Sequence, residues 1–196
     1  MPHRNCGSPA QEYTNNPYNK HYKQESYFGK PYPGLVEFFE NYSNRNVVLD
    51  LGCGQGRDAL FLGRIGYRVV GVDISDVGIQ QLNKTAQQEE LKIEGFVADI
   101  YSFGITDEYD IVLLDSMFHF YKNDVEKETK LLRRIIEEIK PGGLICNFIQ
   151  KGNKREKELK RIIKESGVTF EVLLDGYTDY PEYDAEFHMY IIKKLE

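Results

Sequence analysis

Two rhythms of apolar residues alternate along this chain. Short runs rich in Val, Ile and Leu stand at Val47–Leu51, Tyr67–Val72, Gly95–Ile100, Asp110–Leu114 and Leu144–Ile149, and two more, over 168–174 and 185–195, follow near the end. Runs of this length with little polar alternation predict strands covered on both faces, as in a parallel sheet. Between them apolar residues return every three or four positions, which predicts helices. One is expected over 35–42, with Leu35, Phe38 and Phe39 on one face, and another over 58–64, stopped by Gly66. A third runs from a Ser75 cap to about Glu90, with Ile79, Leu82 and Ala86 inside. The fourth runs from a cap at Asn123 or Asp124 to Ile139, burying Leu131, Leu132, Ile135, Ile136 and Ile139. The stretch 151–164 is rich in cations, but Leu159, Ile162 and Ile163 share one helical face, so the charge is read as a solvated face. Only YSFGITDEY separates the third and fourth strands, too little for a crossover helix with its loops.

Strand and helix in alternation predict one doubly wound, Rossmann-like α/β domain, with a mostly parallel sheet and helices on both faces. That domain is expected over 46–196. Residues 1–16 lack periodicity and collect Pro, Asn, Gly and Ser, the composition of a mobile leader. Residues 17–45 form a tyrosine-rich helical segment broken by Gly29, Pro31, Pro33 and Gly34.

Composition changes this picture little and excludes some roles. A net charge of −6 and a pI near 5.4 argue against non-specific nucleic-acid binding, which draws on Lys and Arg. No apolar run approaches a membrane span and the N-terminus is polar, so no membrane partner and a cytoplasmic location are expected. Cys6, Cys53 and Cys146 form no C-x-x-C pair, and no His/Cys cluster suggests a metal. Oligomeric state has no readable signal.

The chemistry gathers at the first strand. Gly52, Gly54 and Gly56 follow Val47–Leu51 at once, where absent side chains let backbone N–H groups and a helix N-terminus approach a ligand. The second strand then delivers Asp73 to the carboxyl edge of the sheet, where an acid can accept from a ribose. The order is G-x-G-x-G-R, with Arg57 where the third glycine of the dinucleotide fingerprint G-x-G-x-x-G would fall, which disfavours a nicotinamide-dependent oxidoreductase.

With Asp50 inside the strand before it, this pattern resembles the first motif of class I S-adenosylmethionine-dependent methyltransferases. The stretch LDLGCGQGRDALFLGRIGYRVVGVD is similar to that of tellurite-resistance methyltransferases and their small-molecule relatives, and K-P-G-G at 140–143 is another mark of the class. The resemblance implies a seven-stranded sheet whose last strand is antiparallel, with S-adenosylmethionine as cofactor. It implies that Asp50, Gly52, Cys53, Gly54 and Gly56 form the cofactor loop and that Asp73 and Ile74 face the ribose. Asp99 and Ile100 would meet the adenine; the alternative is that Asp99 opens the next turn. It also implies a lid before the first strand, for which Tyr22, Tyr27 and Tyr32 are candidates; the alternative is amphipathic filler at the domain edge.

The fourth strand ends in DSMFHF beside the first, at the crevice where ligands bind in such sheets. Asp115 and Met117 are therefore expected near the reacting group, and His119 is the candidate general base, since an imidazole exchanges protons near neutral pH. Its alternative is packing under the next helix. D-S-M-F lacks the prolines of the D-P-P-Y motif of nucleic-acid amino methyltransferases, so no such substrate carries over. DGYTDYPEYD, 175–184, alternates acids with Tyr177, Tyr180 and Tyr183. It is either an acidic aromatic rim that puts Tyr177 near the acceptor or a solvated hairpin.

The expected activity is in-line methyl transfer to a small-molecule acceptor. A non-catalytic cofactor-binding module is the alternative.

Overall fold

The computed structural model describes residues 17–44 and 46–196; the leader expected over 1–16, with Cys6, lies outside the described residues. A 3₁₀ segment, Pro17–Lys23, leads to helix α1, Pro33–Asn41, which starts two residues earlier than its apolar pattern because Pro33 suits a first helical turn. Then β1 (Val47–Leu51), α2 (Arg57–Arg64), β2 (Arg68–Asp73), α3 (Asp76–Gln88) and β3 (Ile93–Val97) follow in turn. β4 (Ile111–Asp115), α4 (Val125–Glu138), β5 (Leu144–Gln150), α5 (Asn153–Glu165), β6 (Phe170–Tyr180) and β7 (Ala185–Lys194) complete the chain.

The strands form one seven-stranded sheet in the order β3-β2-β1-β4-β5-β7-β6. β7 runs antiparallel to both of its neighbours, which leaves the other six parallel, as expected. Two apolar layers cover the faces: Leu49, Leu51, Val112 and Leu114 pack with α4 and α5 on one side, while Val48, Leu113, Cys146 and Phe148 pack with α1 and α2 on the other. Central strands buried on both faces explain why their sequences carry almost no polar alternation. Ser75 caps α3 as predicted, its Oγ accepting from the Gly78 N–H at 3.0 Å. Asp124 holds the N-cap position of α4 without a side-chain cap bond. Among the described residues no helix is long and apolar enough to cross a membrane.

Two expectations are corrected. β3 pairs with β2 from Val69↔Ile93 to Asp73↔Val97, so it starts and ends earlier than Gly95–Ile100 and leaves Asp99 in the loop beyond. The segment 175–184 is not one long connection. β6 keeps its ladder with β7 from Asp175↔Tyr190 to Tyr180↔Ala185, and only Pro181–Tyr183 and Asp184 turn. Its mixed polar sequence suits an edge strand with one wet side.

Candidate functional site

A cavity of about 1480 Å³ opens at the carboxyl edge of β1, β2, β4 and β5. That exceeds the ~300–1000 Å³ of an ordinary small-molecule pocket, enough for two ligands side by side.

Its floor is the glycine turn. Gly52, Gly54 and Gly56 all have positive φ, of 82°, 54° and 84°. At Gly54 a side chain is doubly barred, because a Cβ would also fall 2.5 Å from the Tyr22 hydroxyl. Gly56 precedes α2, its Cβ position filled by Leu82, and does not line the cavity. Gly52, Cys53 and Gly54 do. Asp73 ends β2 on the rim and accepts from the Gly54 N–H at 3.0 Å and the Ser75 N–H at 2.7 Å. Burial raises its pKa while those donors oppose the rise. Ile74, Asp99 and Ile100 line the same side. Asp99 also opens its own turn, one carboxylate oxygen accepting from the Tyr101 N–H at 3.0 Å.

Asp50 is buried beneath the turn, and its Oδ2 has no hydrogen-bond partner. Burial pushes this carboxyl well above the usual carboxylate range, Asp58 adds repulsion, and Arg57 partly opposes both. An acid with a higher pKa folded than unfolded binds more protons when folded, so it costs stability as the pH climbs above the unfolded value of about 4. Asp50→Asn is therefore expected to gain stability relative to the parent between about pH 5 and about pH 8, read from urea midpoints at both. A constant difference between the variants would remove this assignment.

The opposite wall is a buried polar cluster. Arg57, the first residue of α2, donates from Nε and Nη2 to the two carboxylate oxygens of Asp58, both at 3.0 Å, and Nη2 also meets Asp115 Oδ2. Its guanidinium lies 4.4 Å from the centre of the Tyr32 ring and 5.4 Å from that of Tyr180. Burial disfavours the charge, but Asp58, Tyr32 and Tyr180 outweigh it and keep Arg57 cationic. Tyr32 donates to Asp115 Oδ1 at 2.9 Å and lies 3.2 Å from Ser116 Oγ. Burial pushes the Tyr32 phenol up to about 12, so it serves as a neutral donor.

Beside this cluster, Ser116, Met117 and His119 line the cavity, as does Asp115. His119 has 42% of its side chain exposed, and its Nδ1 lies 3.9 Å from Glu128. The tyrosines expected in a lid divide. Tyr22 is buried and lines the cavity over Gly54, strapped down where Gln55 and Gln81 donate to its carbonyl at 3.4 and 2.7 Å. Tyr27 lies outside the lining, its N–H donating to Gln55 and its ring packing on His21 and Phe28. Tyr32 is fully buried, so it supports the wall rather than covering the ligand. Tyr177 faces α5, donating to Glu156 at 2.9 Å, because β6 continues through it and alternation turns it away from the cavity. Tyr180, Tyr183 and Phe187 of the hairpin line the cavity in its place.

In the sequence Arg57 stands only as a departure from a motif, and its place in the wall emerges from the structure. A cation opening a helix, against the helix dipole, with an acid next to it was the available signal.

The family described as Tellurite resistance protein TehB matches residues 20–153, more than half of the chain. The chain belongs to the TehB family. A probable S-adenosyl-L-methionine-dependent methyltransferase TehB of Haemophilus influenzae is 33% identical over 126 residues, covering 62% of this chain and 43% of that protein. The crystal structure of TehB from Haemophilus influenzae shares 25% identity with a TM-score of 0.68, covering 90% of this chain and 65% of that one. A 2-heptyl-1-hydroxyquinolin-4(1H)-one methyltransferase of Mycobacteroides abscessus is 30% identical, covering 59% of this chain and 51% of that protein. This chain thus spans about half the length of the curated relatives it matches. The TehB match contains the glycine turn, Asp73, Asp99 and the Asp115–His119 loop, whereas Tyr180, Tyr183 and Phe187 lie beyond it.

Proposed function

We propose that this chain is an S-adenosylmethionine-dependent methyltransferase acting on a small-molecule acceptor by in-line methyl transfer. The observation that carries the reading is the unpartnered Asp50 Oδ2 beneath a glycine turn whose rim carries Asp73. A buried carboxylate oxygen without a donor is costly, and it suits a loop that receives a ligand bearing an ammonium group and a ribose. The cofactor supplies a methyl group already activated on a sulfonium.

What remains for the chain is binding, alignment and exclusion of water. Asp73, already fixed by two backbone donors, offers acceptors for ribose hydroxyls, and Asp99 and Ile100 border the adenine. Tyr22 covers the turn from above. Asp115 is held by Tyr32, Ser116 and Arg57, so its oxygens orient the wall rather than collect a proton. Met117 and the hairpin rings Tyr180, Tyr183 and Phe187 shield the transfer from water. His119, on the acceptor side, is the candidate base for acceptors that must lose a proton. Support for a small acceptor comes from the aromatic enclosure and from the relative that methylates a hydroxyquinolone.

Isothermal titration tests the reading. S-adenosylmethionine and S-adenosylhomocysteine are expected to bind the wild type, and Asp73→Ala to bind at least about tenfold more weakly, the loss of roughly one charge-assisted hydrogen bond. Failure of both ligands to bind the wild type would sink the proposal; equal affinity in the variant would remove the ribose assignment.

A further inference from the structure

A second, smaller cavity of about 400 Å³ adjoins the first on its acceptor side. His119 and Tyr121 line both. Its other wall is the first two turns of α5, with Lys154, Arg155 and Glu158. Gln150, which lines the large cavity, accepts from Arg155 Nη1 at 2.9 Å.

The charges here are one-sided. Glu158 is engaged by Arg161, which donates to both its oxygens at 3.0 and 2.6 Å. Arg155 pairs with the neutral Gln150 and lies 5.9 Å from the centre of the Tyr121 ring, and Lys154 is exposed, one turn before the Arg161-bound Glu158. Two cations in the first turn of a helix oppose its dipole, at ~0.3–1 kcal/mol each. Glu156 in the same turn follows the rule, accepting from the Gly152 N–H at 2.7 Å. Local rules broken without compensation in the fold mark functional positions. Tyr121 is 55% exposed and the half-buried His119 ring lies 5.4 Å from it, so a planar ligand has a surface to lie on.

We infer that the small cavity is a distal acceptor subsite that holds an anionic group, carboxylate or phosphate, on an aromatic acceptor, with Lys154 and Arg155 as its counter-charges. This rests on the methyltransferase reading and names the acceptor class for it. The acceptor's ring lies along His119 and Tyr121, its reacting atom points into the large cavity toward Met117, and its anion reaches α5. Specificity for acids over neutral analogues then comes from the loop after β4 and the helix after β5 acting together.

The test uses the full chain saturated with S-adenosylhomocysteine, titrated with 1-hydroxy-2-naphthoate, its carboxamide and 1-naphthyl phosphate. The two anions are expected to bind at least about tenfold more tightly than the amide, one charged contact being worth ~1.4 kcal/mol or more. Lys154→Gln/Arg155→Gln is expected to erase that preference with S-adenosylhomocysteine affinity unchanged. Equal binding of acid and amide, a preference that survives the double substitution, or binding of none of the three by a chain that holds S-adenosylhomocysteine would each overturn the subsite. Preference for only one anion would assign the carboxylate or the phosphate. Failure of S-adenosylhomocysteine itself to bind would instead bring down the reading beneath it.

Discussion

Arg57→Ala is expected to destabilise the fold by about 3–5 kcal/mol, the usual cost of removing one partner from a buried ion pair. The side chains of Arg57, Asp58 and Asp115 are only 13%, 6% and 9% exposed, so the pair is largely desolvated although it borders the cavity. The loss falls mainly on Asp58, which among the described residues accepts side-chain hydrogen bonds from Arg57 alone. Asp115 keeps Tyr32 and Ser116 as donors. Desolvation already raises Asp58 while Arg57 holds it down, and the variant surrenders that restraint. A paired replacement, Arg57→Met/Asp58→Leu, removes cation and anion together and is expected to cost much less. Urea midpoints of the parent, single and double variants decide the matter. A single substitution as mild as the pair would show that the cluster is wet and weakly coupled.

The second large effect is expected at Glu128, where stability and chemistry separate. This α4 carboxylate is buried and accepts from the His119 N–H at 3.2 Å and the Phe120 N–H at 2.6 Å. The loop it pins holds Ser116 at φ 55° and Phe120 at φ 51°, conformations that non-glycine residues adopt at ~1–3 kcal/mol each. Glu128→Ala leaves two buried N–H groups without a charged acceptor, for an expected loss of about 2–4 kcal/mol. Glu128→Gln keeps one carbonyl oxygen and should lose about half as much. Because Ser116, Met117 and His119 belong to the released loop while Asp73 does not, S-adenosylhomocysteine affinity should stay within about threefold. Methyl transfer should fall at least about tenfold, as expected when positioning is lost. Parallel loss of affinity and rate in the alanine variant would mean that the fold, not the loop, had failed.

How far such features can be read in advance differs by element. β1, β2, β4 and β5 were legible because strands buried on both faces have no choice of side chain. The glycine turn was legible because positive φ at Gly52, Gly54 and Gly56 leaves little alternative to glycine. Asp73 followed from simple succession, as the residue that ends the strand next to the turn.

Edges were less legible. β3 and β6 lie at the two ends of the sheet, where one ladder partner decides register and the local sequence does not, so β3 shifted toward its N-terminus and β6 absorbed most of the presumed loop.

Taken by itself, the sequence determined the α/β class, the parallel core, the order of the helices and the place of the glycine turn, since each depends on periodicity or backbone conformation within one short window. Tertiary structure alone decided which side chains meet across that loop: Arg57 with Asp115 and Tyr32, Glu128 with the N–H groups of His119 and Phe120, Tyr22 over Gly54, and Tyr177 turned away from the cavity. Such pairings join distant residues, as does the Tyr32–Asp115 hydrogen bond across 83 positions. They follow from sheet order and strand register, which arise only when distant segments compete for the same neighbours.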